Sequence, residues 1–98
     1  MSYLDDVAAA IRRHLPSDDA ARGDLDALFR SYAVLALAKG EAVTAQDVHN
    51  AWAAWMQGID AAHGALRPFD ELDARTRAAD DPYVDAIHAA ARELSITR

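Results

Sequence analysis

Cysteine is absent from this 98-residue chain. That removes disulfides, thiolate metal sites and a thiol nucleophile together, and it fits a reducing compartment. Long apolar runs are missing too. The longest, Tyr32 to Ala38, is far too short to cross a bilayer. The N-terminus carries Asp5 and Asp6 where a secretion signal needs basic residues. A soluble, cytoplasmic protein is expected, with no membrane partner. Positive charge is also in deficit: 10 Lys and Arg stand against 16 Asp and Glu, for a formal net charge of −6. Such a chain repels phosphate backbones unless its cations gather on one face. No Gly-rich phosphate loop, no Gly-x-Ser-x-Gly elbow and no sustained period-2 alternation is present.

Apolar residues make up 52% of the chain, enough for one core and one domain over residues 1–98. Alanine supplies about a quarter of all residues. It favours helices but fills little volume, so the larger apolar residues are expected to carry the packing.

The apolar spacing predicts an all-α fold of four main helices with one structured loop between the third and the last. Ser2 caps a first helix, whose stripe is Leu4, Val7, Ala8, Ile11 and Leu15, and Pro16 closes it. Asp24 is the next expected cap. A second helix, Leu25 to Lys39, is apolar nearly all round and is the expected hub. Gly40 suits a left-handed C′ position. Thr44 and Asp47 approximate a capping box at the start of the third helix, with Val48, Ala51, Trp52, Trp55, Met56 and Ile59 inward. Ala74 to Ala79 suits a short helical turn. Asp81 followed by Pro82 marks the start of the final helix, which turns Val84, Ile87, Ala91 and Leu94 inward.

An enzyme is not expected. The serines and threonines stand where caps and helix surfaces explain them. The acidic pairs Asp5/Asp6 and Asp80/Asp81 are sequence neighbours, which point apart on a helix and share no proton site. No cofactor is implied. His14, His49, His63 and His88 include no His-x-x-x-His pair, so no metal site is expected. Residues 36–55 also read as a helix-turn-helix, or as the loop and third helix of a histone fold. The outward residues Gln46, His49, Asn50 and Ala53 bring no Arg or Lys to that reading.

Val48 to Met56 holds both tryptophans of the chain. Tryptophan on an apolar helix face usually builds core, and His49, one turn before Trp52, needs a hydrogen-bond partner if buried. The Asp70/Glu71 loop could supply it. This stretch, followed by His63, Leu66, Pro68, Phe69, Asp70 and Leu72, then Asp80 or Asp81 with Tyr83, Val84 and Ile87, resembles the ryanodine-receptor repeat (RyR) domain over residues 44–94. His-Pro of that family is His63-Gly64 here, and the family's Gly-Trp-x-x-Gly segment is missing. The whole chain also resembles small proteins of actinobacteria and their phages.

The resemblance implies a binding module that senses or sequesters a nucleotide-derived small molecule. Its implied pocket is His49, Trp52, His63, Arg67, Phe69 and Tyr83, supported by Asp70 and Met56. Trp52 or Phe69 would stack a base, Arg67 would meet a phosphate and His49 would orient one edge. In the other reading of the loop, Pro68, Phe69 and Leu72 plug the groove beside the third helix. The alternative function is a protein–protein adaptor or homo-oligomer without ligand, its thin core completed by a partner or a second copy.

Overall fold

The first helix starts for a local reason. The Ser2 hydroxyl accepts the Asp5 N–H at 3.3 Å, and the Asp5 carboxylate accepts the Ser2 N–H at 3.4 Å. This reciprocal pair satisfies two donors that a helix start leaves open. The computed structural model describes residues 2–15 and 25–96. The expected stop at Pro16 and cap at Asp24 lie outside the described residues. Helix α1 spans Tyr3–Arg13, α2 Asp26–Lys39, α3 Ala45–Gln57, α4 Ala74–Ala78 and α5 Asp81–Glu93. Two 3₁₀ turns, Gly40–Ala42 and Phe69–Glu71, join them. The fold is all-α, four main helices and the short α4, with no strand among the described residues.

α2 is the hub: α1, α3, α5 and the first 3₁₀ turn all pack on it. Its core side is Leu28, Phe29, Tyr32, Ala33 and Ala36. α1 adds Val7, Ala8, Ala10 and Ile11, and α5 adds Ala86, Ile87, Ala90 and Ala91. Large residues do not carry this packing alone. Ala10, Ala33, Ala36, Ala90 and Ala91 are completely buried, and small side chains there let the helix backbones approach closely. The Cα radius of gyration is 12.9 Å, as expected for a compact chain of this length.

The connections are specified by short-range chemistry. Gly40 has the expected positive φ, 56°, but its ψ of −126° lies outside the left-handed helical basin. The chain there enters the 3₁₀ turn directly. Thr44 and Asp47 form a full capping box at α3, and the Lys39 ammonium lies 3.0 Å from the Asp47 carboxylate. α5 begins one residue earlier than the Asp81-Pro82 signal suggests. Asp80 holds the cap position without a side-chain cap bond, and Pro82 sits inside the first turn, where its missing N–H costs nothing. At the other end Ser95 adopts φ 56°, and the Ile96 N–H reaches the Ala91 carbonyl at 2.8 Å. This is a Schellman closure, and Ile96 packs on the core.

Two expected inward residues face out. Ile59 lies beyond the end of α3 and is 62% exposed; Leu94, the C-terminal cap of α5, is 41% exposed. Both fall where the helix ends and its period no longer applies. No described helix is long and apolar enough to cross a membrane.

Candidate functional site

α3 does not bury its apolar face. Only Val48 and His49 are buried on it; Ala51, Trp52, Trp55 and Met56 are half-buried. The reason is a cleft of about 350 Å³ beside the helix. α2 and the residue before it form one wall, with Leu25, Leu28, Phe29 and Tyr32. α3 forms the second with His49, Trp52 and Trp55. Ala65, Thr76, Ala79, Asp80 and Tyr83 close the remainder. Cavities of this size commonly hold small organic ligands.

The aromatic side chains form two groups. Phe29, Tyr32 and Tyr83 cluster with ring centroids 5.5, 6.5 and 5.7 Å apart. Phe29 and Tyr32 meet edge to face at 89°. Across the cleft, His49 stacks on Trp52 at 5.7 Å and 28°, and the His63 ring meets Trp52 at 5.0 Å and 79°. Burial pushes the Tyr32 phenol far up from its ordinary value, with Tyr83 and Asp80 adding to the shift. The Tyr32 phenol therefore stays protonated.

His49 is the one buried polar residue among those described, at 3% exposure. Its Nε2–H donates to the Arg67 carbonyl at 2.6 Å. The partner is thus a main-chain oxygen of the loop, three residues before Asp70, and not the Asp70 or Glu71 side chain. The bond fixes the Nε2–H form of the ring, because a carbonyl oxygen can only accept.

The six residues expected to form the pocket are divided by the fold. His49, Trp52 and Tyr83 line the cleft. His63 stands behind Trp52, its Nδ1 accepting the Ala65 N–H at 3.1 Å. Phe69 packs 6.1 Å from His49, with the Arg77 guanidinium 6.0 Å from its centroid, and it does not line the cleft. Arg67 is exposed and borders two more open depressions, one sharing His49 with the cleft and the other sharing Ala65 and Thr76. Asp70 is exposed and Met56 half-buried, both outside the cleft.

The sequence reading missed Asp80. Its carboxyl is half-buried at the cleft wall, and burial pushes its pKa above the ordinary value. His49 opposes that shift and Asp81 adds to it. Among the described residues no donor or cation pairs with this carboxylate. Asp80 was hidden beside Asp81, which the Asp-Pro signal favoured as the cap. The spacing Thr76, Asp80, Tyr83 was the available clue: it is three and four residues, and all three line the cleft.

Five of the eight described Lys and Arg side chains are held in ion pairs. Arg12 pairs with Asp26, Arg13 with Glu93, Arg30 with Asp5, Lys39 with Asp47 and Arg92 with Glu41. Each ties two different elements, so Arg12, Arg13, Arg30 and Lys39 form no basic face beside α3. Among the described residues no group of three His, Cys, Asp or Glu could hold a metal ion.

A family model matches residues 2–92. The chain belongs to DUF7701, a domain of unknown function. The DUF7701 match runs from the α1 cap almost to the end of α5, so the sequence from Thr44 to Leu94 is not a separate RyR repeat. The RyR assignment is corrected accordingly, and the nucleotide-sensing reading that rested on it falls as well. The geometry gives the physical reason. Arg67, the expected phosphate ligand, lies away from the cleft, and the charged side chain on the cleft wall is the Asp80 carboxylate. No curated protein and no solved structure matches the chain.

Proposed function

We propose that this DUF7701 protein is a non-enzymatic binding module whose cleft takes a flat apolar group of a small organic ligand. One observation carries the reading. Trp52 and Trp55 are half-buried on a 350 Å³ cavity, in a domain that buries Ile11, Phe29, Tyr32, Val48 and Ile87 almost completely. Leaving large aromatic surface open to water has a cost of about 25 cal/mol per Å², which a ligand removes. The non-enzymatic part rests on His49. Its Nε2–H is committed to the Arg67 carbonyl and holds the loop, which takes that nitrogen out of proton transfer.

The chain has two tryptophans and both line the cleft, so intrinsic fluorescence reports on it directly. Phenethyl alcohol and cyclohexylmethanol are suitable probes, one aromatic and one aliphatic ring. The expected result is a saturable change in tryptophan emission with an upward thermal shift, larger for the aromatic ring. Trp55→Ala should weaken binding about five- to tenfold. Emission that changes only linearly with both probes, with an unmoved thermal midpoint, overturns the proposal.

A further inference from the structure

The geometry points to a cationic ligand: we infer that the group seated in this cleft bears an ammonium, held between the aromatic walls and neutralised by the Asp80 carboxylate. The inference rests on the cleft being a binding site and adds the chemical class of its ligand. Three observations converge on it.

The first is the carboxylate itself. Asp80 occupies the cap position of α5 yet makes no capping bond, so it does not perform the task its place in the sequence suggests. Among the described residues no Lys or Arg pairs with it, and the charge interaction with His49 offsets its partial burial only in part. A carboxylate removed from water without a partner is costly, and that cost disappears when an opposite charge arrives.

The second is the surroundings. Tyr83, Trp52 and Trp55 line the cleft as half-buried rings, while Phe29 and Tyr32, each 1% exposed, pack against Tyr83 at centroid distances of 6.5 and 5.7 Å, with the Arg12 guanidinium already 4.5 Å from the Phe29 centroid. Ring faces carry negative potential, which attracts ammonium groups and does not attract carboxylates or phosphates. The third is the missing counter-charge. Among the described residues neither Lys nor Arg lines the cleft. An anionic ligand would meet the Asp80 carboxylate with only His49 among the described residues to offset the repulsion. The overall charge of −6 also draws cations toward the protein and repels anions.

The test compares three probes of one shape: phenethylamine, phenethyl alcohol and hydrocinnamate, titrated against the full chain by tryptophan fluorescence. The amine should bind about tenfold tighter than the alcohol, and the carboxylate weakest. Asp80→Asn should bring the amine-to-alcohol ratio close to one. Asp81→Asn, a change at the exposed neighbour, should leave the ratio as in the parent. The same ammonium chemistry can arrive on a free amine or on a lysine side chain. Nα-acetyl-lysinamide, run alongside, separates these sources, and the dependence on Asp80 is expected for whichever binds. Saturable binding of the alcohol with no preference for the amine overturns this inference and leaves the cleft as a binding site. Equal loss of preference in Asp81→Asn overturns it too, because the effect is then general surface charge. Absence of binding by every probe overturns both readings.

Discussion

His49→Ala perturbs the loop and the cleft together, and its cost can be worked from the contacts. The ring is 3% exposed, stacked on Trp52 and packed against Phe69. Its Nε2–H joins α3 to the Arg67 carbonyl, 18 residues away in the chain, across the connection that runs from Gly58 to Asp73. Losing a buried hydrogen bond of this kind costs about 1–2 kcal/mol, at the low end because Arg67 is exposed and water can reach its carbonyl afterwards. Losing the buried ring area costs about 1–2 kcal/mol more. The sum is roughly 2–4 kcal/mol, and at 4–8 °C per kcal/mol the midpoint should fall by about 10–25 °C. Urea unfolding should be followed by tryptophan emission and by far-UV circular dichroism in parallel. Because Trp52 stacks on His49, its emission should change in the folded variant while helix content stays near that of the parent. A loss of stability below about 0.5 kcal/mol would refute the reasoning, since it would mean that the loop is held without His49.

Two further outcomes concern single residues. Asp80→Asn should raise the thermal midpoint at neutral pH by a few degrees. Burial raises the folded-state pKa of Asp80, against a smaller pull from His49 and with Asp81 adding, so the folded protein holds this proton more tightly than the unfolded chain. Stability from this group therefore falls as pH rises through the window above the ordinary 3.8, and the gain in the Asn variant should vanish as pH drops toward 3.8. A midpoint that is unchanged at neutral pH contradicts that sign. Ser95→Gly should stabilise the protein by about 0.5–1 kcal/mol in urea unfolding, because Ser95 holds φ 56° in the closure of α5 and glycine adopts it without the Cβ clash. A destabilised variant would show that the Ser95 side chain contributes more than the backbone strain costs.

The helices were legible because their ends carry local chemistry. Ser2, Thr44 and Asp47 act within one turn of themselves, and such signals need no knowledge of the fold. The hub was legible because α2 is apolar on most of its circumference, and a helix of that kind has to be surrounded. Errors appear where an outcome depends on distant partners. The apolar stripe of α3 was read as core, but whether a stripe is covered depends on what lies across from it, and here that is a cleft. The pocket residues His49, Trp52 and Tyr83 reached the cleft, whereas Arg67 and Phe69 did not, because the loop is turned by the bond its own backbone makes to His49. For Asp80 the sequence offered only the spacing to Thr76 and Tyr83, because its partial burial at the cleft wall is set by the fold.

The same composition that thins the core also opens the cleft. Alanines at 10, 33 and 36 are fully buried, and they let α1 settle closely on α2. α1 accordingly packs along α2 far more extensively than α3 does. On the other side α3 brings two tryptophans and a histidine, which are too large for the same close approach. Small side chains on one flank and large ones on the other leave the cleft between α2 and α3. The space between them cannot collapse without tilting α3, and α3 is pinned at both ends. The Thr44–Asp47 box and Lys39 fix its start, and the His49–Arg67 bond fixes the loop that leaves it. The cleft is thus a consequence of how this sequence distributes volume around its hub, with the half-buried Asp80 carboxylate on its wall.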